Sequence, residues 1–188
     1  MRMTLWGACA LVATSIPVLA ACGNSSSTGG TGASTSASQT PPMGETALKA
    51  WLATGAYKSW HCEPTDHVAV APSPHSQDRV CSNDLLAAGS PPFPQGAAAV
   101  KELYDKPSSQ GGVVFGYAVY LKTQASSAAG ANWYWYEDNP TLDPDGGVVA
   151  DGLGNAGNPM TICVSCHNLA GSDSAHMGAG DEVYTQVK

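Results

Sequence analysis

The chain has 188 residues, a formal net charge of −7 and 43% hydrophobic residues. The acidic balance and the lack of a stripe of basic residues argue against a nucleic-acid-binding role. They also argue against attraction to anionic lipid by charge alone.

The first residues, 1–21, have the pattern of an export signal. Arg2 supplies the positive start, the stretch from Leu5 to Leu19 is apolar, and small residues precede Cys22. This stretch is too short and too interrupted by glycine and proline for a membrane span. The Leu-Ala-Ala-Cys sequence ending at Cys22 resembles a bacterial lipobox. We therefore expect acylation of Cys22 and a lipid-anchored chain in the cell envelope, facing the periplasm or the outside; an ordinary cleaved signal is the alternative.

An uncharged segment rich in Ser, Thr and Gly follows, and residues 22–42 are interpreted as the acylated cysteine and a disordered linker. A flexible coil of this length spans roughly 25 Å r.m.s.. The remaining residues, 43–188, are predicted to form one domain.

Two short helices are predicted at the start of this domain. Gly44–Trp60 carries Leu48, Trp51 and Leu52 at helical spacing. Ser82–Gly89 begins with capping residues and ends at a glycine, which is typical of one or two helical turns.

Three strands are predicted next, at Ala97–Tyr104, Gly112–Lys122 and Asn132–Asp138. Each is rich in branched or aromatic residues, and loops containing Gly, Ser or Pro separate them. In the third strand, alternation places the two tryptophans on one face and the two tyrosines on the other. Residues 139–160 are interpreted as mostly turns.

A Cys-Val-Ser-Cys-His motif occupies residues 163–167. Cys163 and Cys166 have three interpretations: a redox pair in a thioredoxin-like context, half of a zinc site, or the attachment point of haem c. The last needs only this motif, in which both thiols form thioethers and His167 binds iron. Haem c is attached outside the cytoplasm, so the export signal favours one covalent haem c with His167 as the proximal ligand.

The remaining cysteines fit an exported chain. Cys9 leaves with the signal and Cys22 carries lipid, which leaves Cys62 and Cys81. An even pair in an oxidising compartment predicts a disulfide, with two free buried thiols as the alternative.

The position of the motif excludes two common architectures. Only 21 residues follow His167, whereas the common small cytochromes c carry the motif near the N-terminus and a Met ligand far downstream. The helical cytochromes c′ need four long amphipathic helices, which the glycine- and proline-punctuated strands here do not supply.

The order of these motifs resembles cytochrome P-460 and its relative cytochrome c′-β. The matching segments are Phe93–Asp105, the strand ending Tyr-Ala-Val-Tyr-Leu-Lys, the aromatic strand, the haem motif followed by Asp181–Gln186 and, more weakly, Ser73–Asp84.

The resemblance implies an α+β fold, mainly an antiparallel β-sheet with a few short helices and a haem-bearing helix near the C-terminus, and often a homodimer. It implies His167 as proximal ligand and an open distal side that takes a small nitrogen ligand or substrate. Hydroxylamine-oxidising members carry a lysine joined covalently to the haem, which corresponds to Lys101, and pass electrons to a redox partner protein. Cytochromes c′-β lack this bond and bind nitric oxide.

Strand alternation places Lys101 on the same face as Ala97 and Ala99, where small side chains leave room for a haem edge. A solvated surface charge is the alternative.

The oxidase chemistry also calls for a distal carboxylate. The candidates, among which the sequence does not choose, are Glu102, Glu137, Asp138 and Asp151.

Other histidines are interpreted as non-ligating. His176 and Met177 are considered as sixth ligands of the iron. They follow His167 too closely to reach the opposite face of the haem without a sharp reversal of the chain, and are predicted to be loop residues. His61, His67 and His75 are predicted to lie on the surface; pairwise metal binding is the alternative, but their spacing matches no strong metal-site template. An electron-transfer cytochrome with a six-coordinate haem is the alternative function.

Overall fold

The computed structural model describes residues 40–71, 73–125, 130–143 and 145–188. The predicted signal, Cys22 and most of the linker lie outside these residues. Packing begins slightly before the predicted boundary at residue 43, because Pro41 is already buried. No helix in the described ranges is both long and apolar enough to cross a membrane.

The core of the fold is one antiparallel sheet of seven strands, which agrees with the predicted fold class. The strands are β1 (His61–Cys62), β2 (His67–Val68), β3 (Gln77–Ser82), β4 (Ala98–Tyr104), β5 (Val114–Lys122), β6 (Trp133–Asp138) and β7 (Val148–Leu153). Their spatial order is β1-β3-β4-β5-β6-β7, and β2 also pairs with β3. Apart from the β2–β3 branch, neighbours in the sheet from β3 to β7 are neighbours in the chain, so the central strands form a meander.

Both predicted helices are present. Helix α1 (Glu45–Thr54) ends at Gly55, whose φ of 67° is the left-handed conformation that glycine adopts without strain. Helix α2 (Asp84–Ala88) is capped by the Asn83 side chain, which accepts a hydrogen bond from the backbone N–H of Leu86. Short 3₁₀ turns lie at Ala56–Ser59, Ser108–Gln110 and Gly130–Asn132.

The three predicted strands correspond to β4, β5 and β6 with shifts of one or two residues at their starts. The interpretation of residues 139–160 as mostly turns was wrong for β7, an edge strand whose backbone pairs with β6. Its Val-Val-Ala-Asp-Gly-Leu sequence shows no clean alternation. Strand β3 was also missed, because it is buried yet carries polar side chains.

The two faces of the sheet bury different apolar clusters. Helix α1 covers one face, where Leu48 and Leu52 pack near the tyrosines of β6. On the other face the tryptophans of β6 pack with Cys163 and Val164. Alternation along β6 therefore sorts its aromatic side chains between the faces as the sequence predicted.

The cysteine motif lies on a short C-terminal helix. A π-helical segment, Pro159–Val164, runs directly into a helical turn at Ser165–His167; we call these two pieces the motif helix. Two glycines let this helix approach the sheet. A Cβ atom added at Gly130 or Gly154 would lie 2.0 Å or 2.6 Å from the Val164 side chain, closer than packed atoms come.

A disulfide joins Cys62 in β1 to Cys81 in β3. The two residues face each other directly in the strand register. This is the pairing that cysteine parity and export predicted, and it ties the short first strand to the sheet.

Candidate functional site

The motif helix, the sheet face beneath it and two neighbouring loops enclose a cavity of about 250 Å³. The three motif residues Cys163, Cys166 and His167 border this cavity, and so does Lys101. The fold therefore brings Lys101 and Cys163, which are 62 positions apart in sequence, to one site.

The His167 side chain is oriented by a main-chain contact. Its Nδ1 lies 2.6 Å from the carbonyl oxygen of Glu182. A carbonyl can only accept, so Nδ1 carries the proton and Nε2 keeps its lone pair. Burial, followed by the positive charge of Lys101, lowers the pKa of His167 to about 3. The imidazole is therefore neutral at ordinary pH and suited to ligate a metal.

Aromatic rings surround this imidazole. The Trp135 ring lies edge-on at 4.8 Å between centroids. The rings of Tyr120 and Tyr184 lie at 5.6 Å. Nε2 has no hydrogen-bond partner among the described residues, so its lone pair is available to a metal.

A strained turn presents the Glu182 carbonyl. Asp181 and Glu182 have φ values of 49° and 70°, in the left-handed region that side chains disfavour. The Nζ of Lys122, a residue that is 0% exposed, holds the turn through both Asp181 carboxylate oxygens at 2.6 and 2.8 Å. Trp133 Nε1 also donates to Asp181.

Cys163 and Cys166 are free thiols. Cys163 is buried, and its Sγ lies 4.0 Å from Glu137 Oε2. Burial is the main cause that raises the pKa of both thiols, which disfavours a reactive redox pair. Within the described ranges, no further His, Cys, Asp or Glu completes a metal-binding group with them.

A polar row crosses the sheet next to these thiols. Lys101 in β4 lies opposite Ala118 in β5, which lies opposite Glu137 in β6. His75 bridges the two charged residues over the small alanine: its Nδ1 lies 3.1 Å from Lys101 Nζ, and its Nε2 lies 3.1 Å from Glu137 Oε1. Lys101, only 13% exposed, also pairs with Asp78 at 3.1 Å.

Glu137 is the one member of the four carboxylate candidates that borders the cavity. Burial raises its pKa, but the hydrogen bond and charge of His75, with smaller effects of Asn139 and Lys101, outweigh burial and lower it. The other three candidates are engaged elsewhere: Glu102 with Tyr57, Asp138 with Lys49, and Asp151 with Tyr134.

The surface prediction was wrong for His75, which is 7% exposed and sits inside the polar row. Asp78 was not singled out at all. Both lie in Ser73–Asp84, the weaker part of the resemblance noted in the sequence, which was the only sequence signal for them. His61 is exposed and His67 half-buried.

The two residues considered as sixth ligands lie in a loop at the cavity border. His176 forms a 2.8 Å pair with Asp173 through its Nδ1. Met177 is 77% exposed. Both have the loop positions that the sequence predicted.

The donor set fits covalent attachment of haem. Two protonated thiols at the motif spacing and one neutral imidazole with a fixed tautomer face the same cavity. A histidine that ligates a metal commonly donates its other ring N–H to a carbonyl, as His167 does. Comparison of the chain with protein-family models, curated proteins and solved structures gives no match.

Proposed function

We propose that this chain is an exported, lipid-anchored c-type haem protein of the cytochrome P-460 type that acts on small nitrogen species. It oxidises hydroxylamine, binds nitric oxide, or does both. The observation that carries the proposal is the convergence of Cys163, Cys166, His167 and Lys101 on one cavity.

Three motif residues would hold the haem. The thiols of Cys163 and Cys166 would attach the haem by adding their S–H bonds across its two vinyl groups, which would form thioethers without loss of any atom. His167 offers Nε2 to the iron, because its Nδ1 is committed to the Glu182 carbonyl. When bound, the haem supplies a redox-active iron that accepts a small nitrogen ligand.

The chain's own side chains set the surroundings of that ligand. The rings of Tyr120, Trp135 and Tyr184 pack around the imidazole and fix its orientation. Oxidation of hydroxylamine releases protons as well as electrons, so the site needs a proton acceptor. Glu137 is a buried carboxylate at the cavity, and His75, whose Nδ1 faces the Lys101 ammonium, donates a hydrogen bond to it from Nε2 at 3.1 Å.

Lys101 decides between the two activities. The resemblance assigns it to a covalent bond with the haem, and its place on the cavity beside Ala99 and Ala118 supports that role. A bonded macrocycle has altered shape and electronics, which are among the properties that tune haem reactivity. A free Lys101 leaves a gas-binding protein. Electrons from turnover pass to a redox partner protein.

The decisive experiment is intact-mass analysis after co-expression with haem-attachment machinery. The wild type should carry the added mass of one haem, whereas Cys163→Ala and Cys166→Ala should each lose a thioether and release extractable haem. Ser165→Ala is the matched control, because it keeps the spacing of the motif. A wild-type chain that runs at its apo mass would contradict the proposal.

The membrane anchor is tested separately. Cys22→Ser should move the protein from the membrane fraction to the soluble fraction and leave its haem content unchanged. Unchanged membrane recovery of this variant would remove the lipid anchor from the proposal.

The alternative is an electron-transfer cytochrome with a six-coordinate haem. The border positions of His176 and Met177 favour it. A low-spin ferrous spectrum that does not respond to nitric oxide would establish this alternative, whereas a high-spin spectrum that responds supports the nitrogen-species proposal.

A further inference from the structure

Three side chains of metal-ligand type lie together outside the haem-motif residues. His67 Nε2 lies 3.0 Å from Glu63 Oε1 and 3.7 Å from Asp78 Oδ1. One ligand atom from each of the three residues lies within 4.8 Å of the others. In the described part of the chain, this is the one group of three or more His, Cys, Asp and Glu residues with such spacing.

The tautomer of His67 directs a lone pair at this group. Its Nδ1 lies 3.0 Å from the Val68 carbonyl oxygen, which can only accept a hydrogen bond. The proton of a neutral imidazole therefore resides on Nδ1, and Nε2 faces both carboxylates as an acceptor. Acceptor atoms at 3.0 Å repel one another unless a positive centre lies between them.

Asp78 supplies the second, independent observation. The residue is 1% exposed, and its Oδ1 has no hydrogen-bond partner, whereas Oδ2 pairs with Lys101 at 3.1 Å. A buried carboxylate oxygen without a partner is costly. A second proton on His67 would form a hydrogen bond to Glu63, but Asp78 Oδ1 would remain 3.7 Å from His67 Nε2 without a partner. A cation between the three side chains contacts one ligand atom of each.

The sheet holds the three residues in place. His67 in β2 lies directly opposite Asp78 in β3. Glu63 follows the disulfide-bonded Cys62, and its Oε2 accepts a 2.7 Å hydrogen bond from the Val80 N–H. Glu63 Oε1 is therefore turned toward His67 by contacts that do not depend on a metal.

We propose that Glu63, His67 and Asp78 bind a divalent transition cation of the Zn²⁺ type. One imidazole and two carboxylates suit a borderline cation, whereas Ca²⁺ and Mg²⁺ prefer oxygen ligands alone. Bonds of about 2.0–2.2 Å in a tetrahedral site require the 3.0 Å pair to open and the 3.7 Å pair to close slightly, and small rotations of the half-buried Glu63 and His67 side chains allow both shifts. The neighbouring Val68 is exposed, so water can complete the coordination.

The test is equilibrium dialysis of the purified full-length protein, with its haem if present, against Zn²⁺, followed by zinc analysis. The wild type should retain one equivalent of zinc. His67→Ala and Glu63→Gln should each weaken binding at least tenfold. His61→Ala is the matched control, since His61 also forms an exposed histidine–carboxylate pair, 3.1 Å from Asp84, and it should bind zinc as the wild type does.

A second arm separates this site from the haem motif. A Cys163→Ala/Cys166→Ala variant should lose haem and keep the zinc, so the two proposals fail independently. Circular dichroism of each variant confirms folding. No retained zinc in the wild type, or unchanged binding in a folded His67→Ala variant, would overturn the inference. Loss of zinc only in the double cysteine variant would overturn it as well.

Discussion

His167 Nδ1 lies 2.6 Å from the carbonyl oxygen of Glu182, which joins the Cys-Val-Ser-Cys-His motif to the turn at Asp181 and Glu182. That carbonyl is presented by a backbone in the left-handed region, and the ion pair between Asp181 and the buried Lys122 holds the backbone there. The C-terminal residues therefore orient the proposed iron ligand, although none of them belongs to the motif.

The first prediction concerns this ion pair. Asp181→Ala should lower the free energy of unfolding by about 3–5 kcal/mol, because it leaves the Lys122 ammonium buried without a counter-charge. Urea denaturation measures the change. Asp173→Ala, which removes a carboxylate from an exposed pair with His176, is the control and should cost much less. Equal losses in the two variants would show that the turn is not held by Asp181.

A pH dependence follows from Glu182. Burial, followed by the charge of Asp181, raises the pKa of its carboxyl from 4.5 to about 7. Between pH 4.5 and about 7, the Glu182 carboxyl holds a proton in the native state that it has lost in the unfolded state. The free energy of unfolding should therefore fall as pH rises from 4.5 to about 7, by at most about 1.4 kcal/mol per pH unit, and level off above.

Glu182→Gln removes this titration and keeps the shape of the side chain. The variant should match the wild type near pH 4.5 and be more stable above pH 7. Urea denaturation across this range gives the comparison. A wild-type curve parallel to that of the variant would exclude Glu182 as the source of the pH dependence.

Local patterns predicted β4, β5 and β6, three of the seven strands among the described residues. Alternation placed Lys101 with Ala97 and Ala99, and the structure puts both alanines in the cluster that contains Cys163. A strand buried on both faces makes such alternation informative, because each face must fit a different neighbour. The pairing of Cys62 with Cys81 followed from the number of cysteines and the predicted export of the chain.

The polar row could not be predicted in this way. His75 and Asp78 carry no periodic signal, and their partners are 23–62 residues away in sequence. A histidine in a loop rich in serine and proline resembles a surface residue until the sheet brings Glu137 beside it. Buried polar groups depend on such partners, and a single sequence does not reveal which residues pair over long range.

Lys101 gives the next prediction. If its amine is bonded to the haem, the ferrous Soret band of the wild type should be strongly red-shifted, and Lys101→Ala should abolish the shift while nitric oxide binding remains. Lys101→Arg keeps a positive charge beside Asp78 and should also lose the shift, which separates loss of the bond from misfolding. The exposed Lys106 serves as control, and Lys106→Ala should retain the shift.

The same spectra distinguish the outcomes for activity. A wild type without the red-shifted band should bind nitric oxide but oxidise hydroxylamine negligibly. Hydroxylamine oxidation at the wild-type rate in Lys101→Ala would contradict a role of the lysine in turnover.

The last prediction assigns the proton acceptor to Glu137. Its carboxylate lies at the cavity, 3.1 Å from His75 and 4.0 Å from the Cys163 sulfur. The hydrogen bond and charge of His75 outweigh burial and lower the pKa of Glu137, so the carboxylate is ionised at neutral pH. It is therefore able to take a proton from a substrate, while the hydrogen bond from His75 Nε2 holds it in place.

Glu137→Gln keeps the volume of the side chain and its contact with Asn139 but removes the base. With an electron acceptor supplied, hydroxylamine oxidation should fall by roughly 10²–10⁴-fold, whereas nitric oxide binding, which moves no proton, should change little. Asp151→Asn is the matched control, because Asp151 bonds Tyr134 away from the cavity, and it should retain full activity. Equal loss of oxidation and nitric oxide binding in Glu137→Gln would indicate a damaged cavity rather than a missing proton acceptor.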